Sequence, residues 1–516
     1  MATARDKKST DVGTISQQQD VEIERAFTFF MVPFYYESEA ECSPILSNNL
    51  WKKDSEKVSN EGEDGEVLYS YIIDFLQGQM KSDNSVKDHL RIYCMNVDKE
   101  SKWYHDFWDS FINHPHVAYI PIGKNEAKED VFHPIRFKML SCDEKGFRAP
   151  HLFIYEEAKI GILTFYIELA EKKKTMDDLK LLNYHLHKIY KPLCRCVCPN
   201  LGINKKRVFA NDEERQIEEA KLKEVRTFIA PHDDSEVYSP YNPFAWNMKG
   251  LCDLLLKDVE HQLFSNIRLH LFTYCQIDDS DKEGLTKDDL LPDLIRLSRC
   301  VSNKYLLPFD DLAKSDAVLQ CFENIYYASS VEGTAIIAVA KKSNKGFVSQ
   351  MDGNVRLRYL WIYILAVIQR YTLLNMNRQL LAVASANDEA MLWKLINTIK
   401  DVKIRCYYTS VSSYTQQDQF YQLCCNNLHV KETFDEIDEK TKALNITISH
   451  DMQKRLDLLT LGLSAFAVIS IACDLFTLIQ NANGGQTWAR VLLWASPVII
   501  ICIFILHFTL KRHRNR

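Results

Sequence analysis

Glycine and proline are missing from residues 354–461, a run of 108 positions between Gly353 and Gly462. Without the two strongest chain punctuators, this stretch is expected to fold as long helices. Catalytic signatures are absent as well. The sequence holds no GxxxxGK[ST], GxSxG, HExxH or GxGxxG. P-loop hydrolysis, nucleophile-elbow chemistry, zinc proteolysis and Rossmann-type binding are therefore not expected, and no enzyme activity is assigned. Charge of one sign is not in excess: 63 Lys+Arg against 69 Asp+Glu gives −6. That balance gives no sign of direct nucleic-acid binding. The first 25 residues contain no apolar run, so a cleavable secretion signal is not expected. Fifteen cysteines are scattered without regular spacing, and the count is odd. A reducing, cytosolic setting fits better than a disulfide framework.

What is present is apolar and sits at one end. The 516 residues are 46% hydrophobic and 26% charged, enough for a sizeable core and for about three ordinary domains. Leu458–Ile479 is a 22-residue apolar run with one charge, Asp474, and Val491–Leu510 is a second run of 20 with none. Each as a helix spans about 30 Å or slightly more, the thickness of bilayer hydrocarbon. The short link Asn481–Arg490 predicts a two-span hairpin; a buried soluble hairpin is the competing reading. Lys454, Arg455, Lys511, Arg512, Arg514 and Arg516 flank the pair, against Arg490 in the link. The basic residues place both ends in the cytosol and the protein in the cytoplasmic membrane.

The rest reads as an α/β domain. Phe27–Tyr36, His89–Asn96, Leu269–Gln276 and Thr334–Ala340 are strand candidates, and His151–Leu169 is a hairpin turning at Glu156, Glu157 and Ala158. Met176–Tyr190 and Asp212–Phe228 are helical, and Lys52–Glu66 is a charged insertion expected as an exposed loop. The expected layout is a flexible tail (1–25), a cytosolic α/β domain (26–353) and a helical stalk region (354–456). A first span (457–480), an external loop (481–490), a second span (491–510) and a basic cytosolic tail (511–516) follow. Helix Val355–Lys400 would turn back near Ser385–Glu389. A second helix, starting near Gln416, would run unbroken into the membrane.

This layout, closing on KRHRNR, resembles the CorA-type magnesium transporter family. The resemblance covers the whole architecture and is strongest over residues 355–516. It implies a homopentamer whose first span lines a central pore and whose second forms an outer ring, with magnesium as the candidate ion. The family's Gly-Met-Asn motif is missing: the matching stretch reads Leu478-Ile479-Gln480-Asn481-Ala482-Asn483-Gly484-Gly485. No selectivity residue carries over. A lengthened chain without that motif resembles the CorA-like membrane effectors of type III CRISPR antiviral systems. That branch implies control by a nucleotide second messenger, a SAM–AMP conjugate.

Read without any family, the first span has its own signal. Asp457, Thr460, Ser464, Ala467, Ile471, Asp474 and Leu478 follow a 3-4-3-4 spacing, one stripe of a helix. A carboxylate facing lipid costs at least ~2.5 kcal/mol, so Asp474 is expected to face protein or water. Copies around an axis would form acidic rings at Asp457 and Asp474, with Ala467 and Ile471 as a constriction. The alternative is an Asp474 bonded within the bundle that conducts nothing. Asn481, Asn483, Gly484 and Gly485 are either an ion-facing mouth or a tight turn, and Pro497 predicts a kink in the second span.

Weaker candidates lie elsewhere. His185 and His187 precede Cys194, Cys196 and Cys198, but CxCxC puts the thiols on one face of a strand, and buried thiols are expected over zinc. Tyr238, Tyr241, Phe244 and Trp246, in a proline-rich loop, could stack on a purine or simply pack locally; Trp103–Trp108 offers the same choice. Asp435, Glu436 and Glu439 read as a solvated helix face, with cation bridging between stalks as the alternative. Three functions follow: a messenger-gated channel that leaks cations, a magnesium transporter regulated by cytosolic magnesium, or a non-conducting scaffold.

Overall fold

A computed structural model describes residues 21–482 apart from 38–49, 54–60, 96–109, 140–149, 190–194, 202–207, 230–243, 309–315 and some stretches of one to four residues. The chain divides into two compact units, Met1–Asp435 and Glu436–Arg516.

The first unit is built on a sheet of 14 strands. Its central strand is Arg25–Tyr35 (β1), buried without interruption from Ala26 to Phe34. A strand covered on both faces needs a continuous apolar run rather than an alternating one, and FTFFMVPFY supplies it. Further strands are Leu90–Met95 (β2), His116–Lys124 (β3), Asp130–Lys138 (β4), His151–Tyr155 (β5) and Ile160–Leu169 (β6). Arg195–Cys198 (β7), Phe244–Trp246 (β8), His270–Asp278 (β9), Val318–Phe322 (β10), Ile325–Ser329 (β11) and Gly333–Ala340 (β12) complete the main set. The main path runs β8-β7-β3-β4-β6-β1-β9-β12-β11-β10, with β5 joining β6 to β2. All of these pairs are antiparallel except β9 with β12.

Local chemistry explains several of these choices. Pro33 lacks an N–H for a ladder, and it falls just beyond Met31, the last β1 residue paired with β9. The β5–β6 hairpin closes with Lys159 N–H donating to the Glu156 carbonyl at 3.0 Å and Lys159 at φ 51°. At Gly333 a Cβ would lie 2.5 Å from the Leu271 carbonyl oxygen, so only glycine lets β12 start this close to β9. Helix Met176–Leu186 (α1) joins the sheet through a buried, fully bonded triangle. Thr28 Oγ1 donates to Asn183 Oδ1 at 3.0 Å, and Asn183 Nδ2 donates to Thr273 Oγ1 at 3.0 Å. Helix Lys287–Arg299 (α2) is tied to α1 by the buried pair Lys180–Asp293, 2.6 Å apart.

Helices Leu360–Ala386 (α3), Glu389–Cys406 (α4) and Thr415–Asn427 (α5) follow. α3 ends at Ala386 and α4 starts at Glu389, within the expected break Ser385–Glu389. All nine residues from Leu360 to Ile368 are buried, so α3 is a core helix, and Asn375 Nδ2 on it donates to the Ala158 carbonyl at 2.8 Å. α3, α4 and α5 all fall within the first unit, which ends at Asp435. The expected unbroken helix from Gln416 is also corrected: α5 stops at Asn427, and His429 takes a left-handed φ of 53°. A new helix, Val430–Ala482 (α6), then runs for 53 residues, about 80 Å.

Among the described residues the architecture is an α/β domain with one large sheet, long helices and one candidate membrane helix. Of the Lys52–Glu66 insertion, Trp51–Lys53 pairs with β2, and Glu61–Gly62 pairs with Gly65–Glu66. Residues 1–20, the second apolar run and the basic tail lie outside the described residues.

Candidate functional site

The second unit contains the strongest functional feature. From Leu456 to Leu475 no side chain of α6 is buried; Leu463 is 70% exposed and Phe466 75%. A helix that is apolar all round needs cover on every side. By length and composition it is long and apolar enough to cross a membrane. Its N-terminal flank is polar: Lys440 pairs with Glu436, Lys442 Nζ lies 2.6 Å from Asp438, and Lys454 Nζ lies 3.2 Å from Asp451.

The structure keeps Asp457, Thr460, Ser464, Ala467, Ile471 and Asp474 on one continuous helix, within about 100° of arc at 3.6 residues per turn. All six are exposed. Leu478 and Asn481 are on the same helix by backbone, which continues to Ala482 where a loop had been expected from 481. Asn483, Gly484, Gly485 and Pro497 lie outside the described residues.

Hydrogen bonding ranks the stripe. Thr460 Oγ1 donates to the Leu456 carbonyl at 2.8 Å, and Ser464 Oγ donates to the Thr460 carbonyl at 2.8 Å. Hydroxyls bonded back to the preceding turn place little demand on their surroundings. Asp457 Oδ1 accepts from Gln453 Nε2 at 3.1 Å near the polar end of the helix. Asp474 is the one carboxylate within the apolar run Leu458–Ile479, near its C-terminal end.

The other candidates lie in the first unit. Cys196 and Cys198 are buried on β7, while Cys194, Tyr238, Tyr241 and Trp103–Trp108 lie outside the described residues. No His/Cys/Asp/Glu group among the described residues could hold a metal ion. His185 and His187 are buried, and burial pushes both rings down to about 4. Phe244 and Trp246 are buried on β8. The Trp246 indole N–H donates to His116 Nδ1 at 3.1 Å, and its ring sits 5.3 Å from Phe111, edge to face. Their faces are thus in use for packing. Asp435 and Glu439 are exposed, and Glu436 is committed to Lys440.

Sequence reasoning missed a cleft of about 620 Å³ on the first unit, which includes Tyr119, His133, Arg136 and Asp178. Its residues come from separate segments, and only strand alternation around Tyr119 and Arg136 hinted at a shared face. Compared with models of known families, with curated proteins and with solved structures, the chain matches none.

Proposed function

We propose that this chain is the subunit of an oligomeric, CorA-like channel of the cytoplasmic membrane, an antiviral effector opened by a nucleotide second messenger such as a SAM–AMP conjugate. The observation that carries the reading is the all-round exposure of an apolar helix interrupted by a single carboxylate, Asp474. Lipid suits the apolar surface but disfavours a charge, whereas copies packed around an aqueous axis offer lipid to the one and water to the other. In this reading α6 and the apolar run Val491–Leu510 form the two spans, with both termini in the cytosol. A homopentamer follows from the same resemblance. The missing Gly-Met-Asn favours a pore without the magnesium selectivity of plain transporters.

A messenger opens such a pore only by binding the open state more tightly than the closed one. The test is ion flux from liposomes carrying the purified chain, with and without the SAM–AMP conjugate. Conjugate-dependent flux is expected, and Asp474→Asn should cut cation flux about tenfold by removing the acidic ring. Flux that ignores the conjugate, or no flux, contradicts the reading. Rescue of a magnesium-starved transport mutant would favour the transporter instead.

A further inference from the structure

β3 and β4 form an antiparallel ribbon with Val117 opposite Arg136 and Tyr119 opposite Pro134. Their alternate neighbours Ala118, Ile120, Ile135 and Phe137 are fully buried in the core. By the two-residue period of strands, the first four share the other face. The connection after β6 and the first turn of α1 rise beside that face and bring in Glu171, Lys173 and Asp178. The cleft between them, about 620 Å³, has the size of a small-ligand site.

The charges in this cleft are unequally committed. Glu171 Oε1 accepts the Arg136 backbone N–H at 2.9 Å, and Asp178 Oδ1 is 2.7 Å from His133 Nε2. Both carboxylates are thus occupied within the protein. The Arg136 guanidinium, by contrast, makes no hydrogen bond or ion pair with the described residues, and Lys173 Nζ reaches Glu22 only at 3.8 Å, with both side chains mostly exposed. Tyr119 is 39% exposed and stacks on no ring among the described residues. A guanidinium fork and an ammonium recognise a phosphate, and a free aromatic face takes a planar base. The Asp178-anchored His133 imidazole adds a fixed polar edge.

We propose that this cleft binds the nucleoside monophosphate part of a ligand, with phosphate on Arg136 and Lys173 and the base against Tyr119. This deepens the messenger reading and rests on it for the identity of the whole ligand; the cleft itself rests on its geometry. The test titrates the full-length chain in nanodiscs with AMP and, separately, with inorganic phosphate. Wild type should bind AMP saturably at one per chain, with phosphate competing. Arg136→Ala should weaken both probes at least tenfold, Arg136→Lys less so, and Tyr119→Ala should weaken AMP but not phosphate. Both positions are exposed, so the variants should melt as wild type does. Absence of AMP binding at millimolar concentration, or unchanged affinity in Arg136→Ala and Tyr119→Ala, overturns the proposal. Conjugate-gated flux with unaltered conjugate affinity in these variants would remove the cleft and leave the channel. AMP binding lost in the variants, with no flux under any ligand, would do the reverse.

Discussion

His116 shows what burial does to one titratable ring. Its Nε2–H donates to the Phe111 carbonyl at 3.0 Å and its Nδ1 accepts the Trp246 indole N–H, which fixes the neutral tautomer. Burial pushes this ring and that of His270 down to about 3, and His185 and His187 to about 4. The unfolded chain binds protons on these rings below about pH 6.5, whereas the folded chain excludes them. Stability is therefore held above that pH and lost as pH falls toward 4, by about 1.4 kcal/mol per pH unit for each ring. The urea midpoint of the first unit, followed by fluorescence of its buried tryptophans, should drop clearly between about pH 7 and pH 5. An unchanged midpoint would contradict the assigned neutrality. Little of this was legible in the sequence: Phe111 and His116 are near neighbours, but Trp246 lies 130 residues on and reaches them only through the sheet. Tyr119 and Arg136 likewise share a face only through strand pairing, whereas local packing of Phe244 and Trp246 was one of the two roles expected for them.

Elements were far more legible than residues. β1, β2, β9, β12 and the β5–β6 hairpin stand within a residue or two of their expected positions, because their apolar runs and turn chemistry are local. β3 and β4 escaped notice because half of their residues face outward, and His133, Pro134 and Arg136 dilute the pattern. The break between α5 and α6 was hidden for another reason. Glycine and proline are the usual punctuators, yet here a histidine takes the left-handed position, and its carbonyl accepts the Thr433 N–H at 3.1 Å to start the new helix. A side chain with a Cβ costs roughly 1 kcal/mol in that region. His429→Gly should thus raise thermal stability by about that amount, and His429→Val should lower it by about 1–2 kcal/mol. Equal stability of the two variants would show that the bend does not depend on that backbone geometry.

At the scale of the whole molecule, composition near neutrality conceals a chain of two characters: a sheet-based unit rich in buried aromatics, and a helix whose apolar surface is left uncovered by the described residues. The second character was legible from hydropathy alone. The hydroxyls of the stripe carry less weight than their spacing suggested, since Thr460 and Ser464 satisfy themselves on the preceding turn. Channel function turns on which side of this helix meets water. Ser464 and Ile471 lie on the stripe, and Phe466 and Ile469 sit about 140–160° around the helix from them. Single cysteines at these positions, in a Cys473→Ser chain reconstituted into liposomes with the SAM–AMP conjugate, can be treated with a membrane-impermeant thiol reagent and read by mass spectrometry. Rapid modification at 464 and 471 with protection at 466 and 469 is the predicted result; equal reactivity around the helix, or protection at 464 and 471 alone, would contradict a shared aqueous axis.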